Sequence, residues 1–290
     1  MNSLILKISV LIWKTLMLLP RGVHLIFARL LGIVLLRIPF KRNKYSKANI
    51  DLCFSDLSSE ERKIIYKKNI LFSGNILFDT GIAWFWSDKR IRNNLSFKLN
   101  GIEHLRENQK NKTGVLLFFK HSLHLELDSR IIGMHCDLYG IEREHNSKAF
   151  TNIQRKGRLR GLKGVTDRKN TLTFIKWLKK GKTVLYAPDQ DYGLNKSIVV
   201  DFFGHPSATI SAPFKLIDTT NSKPYFVNSY YDRGCLVLDI EEINFDYDDP
   251  FKFMQNLNIY IEQKIRSHPH EYLWQHRRFK STLGKDRLYK

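Results

Sequence analysis

The chain has 290 residues, of which 48 are lysine or arginine and 28 aspartate or glutamate, a formal charge of +20. A hydrophobic share of 43% excludes a disordered polyelectrolyte and is enough to build a sizeable core in one large domain or two small ones. The charge excess speaks of partners rather than fold: nucleic acid, an anionic membrane surface, or an acidic or phosphorylated ligand. The cysteines, Cys53, Cys136 and Cys235, stand far apart; that excludes a CxxC metal or redox site, argues against a disulfide framework and suits a reducing compartment.

The first forty residues are oily but charged. "LILKISVLIWKTLMLL" and "GVHLIFARLLGIVLL" carry Lys7, Lys14 and Arg21 at intervals of seven, with no acid before Asp51. On one helix those three cations form a single polar stripe, the pattern of a helix lying in the membrane interface with its basic side chains snorkelling to headgroups. An amphipathic helix packed on the protein's own core would read the same way. No small-residue cleavage site suggests a removable signal peptide. Residues 1–40 are therefore read as a membrane-anchor segment and 41–290 as the functional domain.

Ser58 and Glu61 in "SSEE" make a capping box, which predicts a helix through about Trp86 with a break near Gly74 or Gly81. Trp84, Phe85 and Trp86 then read as core or membrane-edge packing. From about residue 95 strands and helices alternate. "SFKLN", "GVLLFFK", "CDLYGIE", "KTVLYA", "SIVVDFF", "KPYFVNSYY" and "CLVLDIEE" read as strands. The helices are "GIEHLRENQ", "LHLELDSRIIGM", "AFTNIQRKGRL", "RKNTLTFIKWLKKG" and "PFKFMQNLNIYIEQKIR". The fold class is α/β, a mostly parallel central sheet flanked by helices. In such sheets reactive groups gather at the carboxyl ends of strands.

His121 directly follows the buried strand "GVLLFFK", and Glu126 lies five residues on. On a continuous helix the two would diverge by about 140°. With His121 in the turn and Glu126 in the first helical turn, the carboxylate reaches the imidazole, fixes its tautomer and leaves the other nitrogen as a base. A metal on His121, His124 and Asp128 lacks a third histidine at a recognised spacing. His124 and Asp128 at i,i+4 read as a solvated helix-face contact. "IQRKGRLR" places Arg155, Lys156, Arg158 and Arg160 together, either a solvated basic face or a phosphate clamp. "YAPDQDYG" is either a turn or a site that binds sugar hydroxyls or steadies an arginine. "YLWQHRRFK" suits a membrane-surface or phosphate contact.

Together these stretches resemble the lipid A late acyltransferases, the lauroyl and myristoyl transferases of Gram-negative inner membranes. The resemblance rests on "HSLHLEL", "REHN", "IQRKGRLR", "YAPDQDYG" and "YLWQHRRFK" in that order, with "NIDLCFSDLSSEER" and "TGIAWFWSDKRI" upstream, and covers about residues 40 to 285. It departs from the pattern in the charged N-terminal segment and in "IERE", which lacks a tyrosine beside Arg143. The resemblance implies acyl transfer from acyl–acyl carrier protein to a 3-hydroxyacyl chain of Kdo-bearing lipid IVA, at the cytoplasmic side of the inner membrane. It makes His121 the general base, Glu126 its orienting carboxylate, and Arg158 a substrate or oxyanion contact. Arg143, Asp189, Gln190, Asp191, Tyr192, Arg277 and Arg278 are expected to bind substrate. The expected partners are the acidic carrier protein, the phosphorylated lipid acceptor and membrane lipid, with no metal, no cofactor and no nucleic acid. An acyltransferase acting on lysophosphatidic acid would share the HX4E spacing but carry a Pro-Glu-Gly block where "PDQDYG" stands. A non-catalytic basic protein that binds nucleic acid or membrane would leave the strand-to-histidine junction without a purpose.

Overall fold

The computed structural model describes residues 3–143, 145, 147–245 and 249–289; Glu144 and Asn146 of "REHN" lie outside them. Helices α1 (Ser3–Leu16), α2 (Arg21–Arg37), α3 (Lys41–Cys53), α4 (Ser59–Ser73), α5 (Asn75–Phe85) and α6 (Asp88–Asn94) precede the sheet. There follow β1 (Phe97–Asn100), α7 (Ile102–Lys110), β2 (Val115–Phe119), α8 (Leu125–Gly133), β3 (Leu138–Glu142) and α9 (Lys148–Arg158). Next come β4 (Gly164–Asp167), α10 (Thr171–Lys179), β5 (Thr183–Tyr186), β6 (Ser197–Phe202) and β7 (His205–Ile210). The last elements are α11 (Ala212–Thr220), β8 (Lys223–Asp232), β9 (Cys235–Glu242), α12 (Pro250–Ser267) and α13 (Lys285–Leu288).

Seven strands form one sheet in the order β1-β9-β8-β2-β5-β3-β4, parallel throughout except where β8 and β9 pair antiparallel. The exception is a tight hairpin. Asp232 pairs with Cys235, and Arg233 and Gly234 both take positive φ (46° and 84°), the two-residue turn whose twist matches the strands. β6 and β7 form a separate antiparallel ribbon.

β2 shows why the sheet sits between two layers. Leu116 and Phe118 face one core, with Phe226, Phe253, Leu257 and Trp274. Val115 and Leu117 face the other, with Ile82, Leu127, Ile131 and Leu238. Side chains alternate along a strand, so a strand covered on both faces must be oily at every position. Each of these buried side chains contributes about 1.5–3 kcal/mol relative to exposure.

The capping box at Ser58 is formed: its hydroxyl accepts the Glu61 N–H, and Glu61 Oε2 accepts the Ser58 N–H at 2.8 Å. The helix breaks at Gly74 rather than Gly81. A Cβ on Gly74 would lie 2.0 Å from the Ala28 carbonyl oxygen, and one on Gly32 would lie 2.2 Å from that of Leu71. Helix α2 is thus seated backbone-to-backbone on α4.

The expected stripe of Lys7, Lys14 and Arg21 is not a single helix face. The chain turns at residues 17–20, and Pro20, which has no N–H to donate to the preceding turn, opens α2. Arg21 is turned inward, 2.7 Å from the buried Asp79 carboxylate. Leu4, Ile5, Ile8, Leu11 and Ile12 on α1 and Leu25, Ile26, Phe27, Leu30 and Val34 on α2 are exposed. Among the described residues no single helix is long and apolar enough to cross a membrane. The α2–α3 pair, bent by 84°, passes by length and composition.

Candidate active site

β2 ends at Phe119, and the turn behind it is pinned from two distant segments. The His121 N–H donates to Asp189 Oδ2 at 2.8 Å, and the His121 carbonyl accepts the Leu273 N–H at 2.8 Å. Ser122 bridges Tyr272 in antiparallel fashion, and the Leu123 N–H reaches the Glu271 carbonyl at 2.8 Å. Residues 271–273 therefore brace the histidine turn through a single antiparallel bridge.

The carboxylate on the His121 ring is Asp189, not Glu126. Asp189 Oδ1 lies 2.5 Å from His121 Nδ1, and Asp189 is fully buried. Burial alone would raise the Asp189 pKa. The His121 charge and its ring and backbone hydrogen bonds outweigh that and hold it at about 2. An ionised carboxylate only accepts, so Nδ1 carries the hydrogen, and whenever the ring is neutral its lone pair lies on Nε2. Among the described residues nothing hydrogen-bonds to Nε2, and 16% of the His121 side chain is exposed. That leaves a base open to a ligand.

Glu126 is occupied elsewhere. Its oxygens accept from Arg158 Nε at 3.0 Å and Nη2 at 2.5 Å, and from Trp84 Nε1 at 2.8 Å. Burial pushes its pKa up, but Arg158 and the Trp84 N–H prevail and keep it below the ordinary carboxylate value. Helix α8 puts Glu126 in its first turn, as the spacing predicts, yet the carboxylate turns to α5 and α9. Gly157 permits this: a Cβ there would stand 2.3 Å from the Trp84 ring. The neighbouring Arg155 sits on the buried Glu142, its Nε 2.6 Å from Oε1. The "IQRKGRLR" run is therefore no open phosphate clamp, since Arg155 and Arg158 already hold carboxylates.

His124 and Asp128, expected as a solvated pair, are buried. His124 Nδ1 lies 2.7 Å from Asp128 Oδ1, and Nε2 lies 3.0 Å from Glu271 Oε2. Burial opposes charge on His124, but the two carboxylates overcome it and raise its pKa to about 9. Asp128 also accepts from Ser122 Oγ and Ser229 Oγ. Lys120, equally buried, donates to Asn228 Oδ1 at 2.7 Å and to the Ser229 carbonyl at 2.9 Å. Burial brings its pKa down to about 8. This network lies under the histidine turn and ties β2, β8 and residues 271–273 together.

Of the "PDQDYG" loop, Asp189 joins His121, while Asp191 faces inward. Its carboxylate accepts from Gly193 N–H, Ser281 N–H and Ser281 Oγ, and its own N–H donates to His276 Nε2 at 3.0 Å. Burial and the nearby His121 charge push the His276 pKa to about 3, which fits an unprotonated acceptor. Arg278 is also internal: it donates to the Ala208 carbonyl and Thr209 Oγ1, both at 2.7 Å. With these contacts inside the protein, Asp191 and Arg278, expected to bind substrate, fasten the rim of the site. Gln190 is half-buried and Tyr192 exposed in the same loop. The Arg277 guanidinium lies over the Tyr45 ring at 5.4 Å. Arg143 is exposed just past β3.

Sequence reasoning missed Trp84, Glu271, Lys120 and Leu273. The signal for Trp84 is its position within "GIAWFW", where the apolar body of the ring points to packing and its N–H goes unmarked. Lys120 ending an oily strand was visible as an anomaly and passed over.

Comparison with known proteins completes the picture. The model of the bacterial lipid A biosynthesis acyltransferases matches residues 2–281. The chain is 33% identical to a lipid A biosynthesis acyltransferase of Haemophilus influenzae, covering 94% of this chain and 89% of that one. It is 36% identical to the lipid A biosynthesis lauroyltransferase of Escherichia coli, over 87% and 83% of the two chains. It is 32% identical to the lipid A biosynthesis palmitoleoyltransferase of the same organism, over 86% and 82%. A family model that matches almost the whole chain, with relatives 32–36% identical over most of it, makes the protein a member of the bacterial lipid A biosynthesis acyltransferase family and an acyltransferase.

Proposed function

We propose that the protein moves a fatty acyl chain from acyl–acyl carrier protein to the hydroxyl of a 3-hydroxyacyl chain on Kdo-bearing lipid IVA. The reading rests on one observation above all, the ionised Asp189 held against Nδ1 and the backbone N–H of His121. A secondary alcohol attacks a thioester poorly until a base takes its proton. His121 Nε2 receives that proton as the alcohol oxygen bonds to the carbonyl carbon, and Asp189 stabilises the imidazolium. The tetrahedral intermediate then collapses, the carbon–sulfur bond breaks, and the proton passes from Nε2 to the leaving thiolate. Backbone N–H groups or the Arg158 guanidinium supply the charge that an oxyanion requires. In this scheme Glu126 is a positioning residue that holds Arg158.

The remaining partners follow from charge and surface. A net charge of +20 suits an acidic carrier protein, a phosphorylated lipid and an anionic membrane alike. The outward residues of α1 and α2, with Lys7 and Lys14 exposed beside them, suit attachment to the cytoplasmic face of an inner membrane. The test offers purified protein carrier-bound acyl chains of several lengths and lipid IVA with and without Kdo, with mass spectrometry of the product. Acylation of lipid IVA on a 3-hydroxyacyl chain is expected. Failure to modify it with any donor would refute the assignment.

A further inference from the structure

Four parallel strands end side by side on the rim that carries His121, in the order β2, β5, β3, β4. The loops leaving β3 and β4 each begin with an arginine, Arg143 and Arg168. Their predecessors Glu142 and Asp167 are register partners, and the Arg168 N–H donates to the Glu142 carbonyl at 2.8 Å. The two side chains thus start from adjoining points, and both are exposed. The Arg168 guanidinium lies over the Tyr192 ring at 5.1 Å, and Tyr192 belongs to the loop that supplies Asp189. Both arginine charges act on the Tyr192 hydroxyl. The contrast with the neighbouring cations decides the matter. Arg155 and Arg158 are paired with Glu142 and Glu126, whereas among the described residues neither Arg143 nor Arg168 forms an ion pair.

We propose that Arg143, Arg168 and Tyr192 form a subsite that takes a phosphate ester of a substrate while acyl transfer proceeds at His121. Guanidinium forks match phosphate oxygens two at a time, and the tyrosine ring keeps the Arg168 plane in place. The inference rests on the acyl-transfer reading above. It adds which end of the rim receives the anion: the edge at β3 and β4, two strands from the histidine. The phosphate belongs either to the sugar of the lipid acceptor or to the prosthetic arm of the donor.

Steady-state kinetics of Arg143→Gln, Arg168→Gln and Arg168→Lys, with each substrate varied in turn, test this. For an acceptor phosphate, each glutamine variant raises the acceptor KM about ten- to a hundredfold, with a much smaller fall in kcat, and Arg168→Lys recovers part of the loss. Removing the acceptor's phosphates enzymatically then raises the wild-type KM by a similar factor and that of the variants hardly at all. A rise confined to the donor KM assigns the phosphate to the carrier's prosthetic arm. Unchanged KM values for both substrates in both glutamine variants, with transfer intact, would overturn the subsite and leave the acyltransferase reading standing. Retention of lipid IVA in detergent micelles without donor gives a readout apart from turnover. A wild-type protein that neither retains nor acylates it would overturn the acceptor assignment and, with it, an acceptor phosphate at the subsite.

Discussion

Asp189 grips His121 twice, through Nδ1 at 2.5 Å and through the backbone N–H at 2.8 Å. One carboxylate thereby sets both the tautomer of the ring and the path of the turn that carries it. Asp189→Asn preserves the shape but offers the ring an amide that no longer demands a hydrogen on Nδ1. We expect kcat to fall about 10³- to 10⁴-fold, with the variant folded and His121→Ala at background. The acid limb of stability should change as well. With its folded pKa at about 2, Asp189 stabilises the native state above the ordinary carboxylate range and loses that contribution as pH falls towards 2. The gap in Tm between wild type and variant should therefore narrow from pH 5 to pH 2. A constant gap would deny Asp189 its charge.

Glu126 and Arg158 share three hydrogen bonds, so their substitutions should not add. Glu126→Gln, Arg158→Gln and the double variant form a cycle with a coupling of about 1–3 kcal/mol in kcat/KM. If Glu126 instead oriented His121, Glu126→Gln would cost as much as Asp189→Asn and would show no coupling to Arg158.

His124 is a test of buried charge. Replacing it by Asn leaves Asp128 and Glu271 facing each other, at a cost of about 3–5 kcal/mol in denaturant unfolding at neutral pH. Because its folded pKa is raised to about 9, its contribution is whole below the ordinary histidine value and disappears as pH rises through 9. The stability difference between wild type and His124→Asn should shrink over that interval. Lys120, whose pKa is lowered to about 8, works in the opposite sense, penalising the fold below 8 and relieved above it. The variant retains Lys120, so the comparison separates the two.

Arg278→Gln should lower stability by about 2–3 kcal/mol through the lost contacts to Ala208 and Thr209, while the acceptor KM of the folded protein stays put. A KM effect without a stability effect would return Arg278 to the ligand side.

What the sequence made legible was local. β2 was readable as a run of oily residues, the capping box as Ser58 and Glu61, and the histidine's place at a strand end as a change of chemistry after Lys120. His121 and Glu126 were rightly set in a turn and a first helical turn. Spacing gave their distance along the chain but not the direction in which a carboxylate faces. The true partner lies 68 residues away, behind three crossover units, where no spacing rule reaches. The strands β4 and β7 escaped because "GVTD" is short and polar and "HPSATI" has a proline, tolerated only at an edge. The antiparallel turn at Arg233 and Gly234 was signalled by its glycine and was not used to set strand direction.

The bridge between Tyr272 and the histidine turn bears on how the protein is made. His121 emerges from the ribosome less than halfway along the chain, yet its turn is completed by Leu273 and the Asp189 loop is anchored by Ser281. A nascent or prematurely terminated polypeptide that stops short of residue 271 carries the histidine without its brace. On the proposed mechanism such fragments lack the braced turn that acyl transfer at His121 requires, and activity is expected only once translation has passed that point.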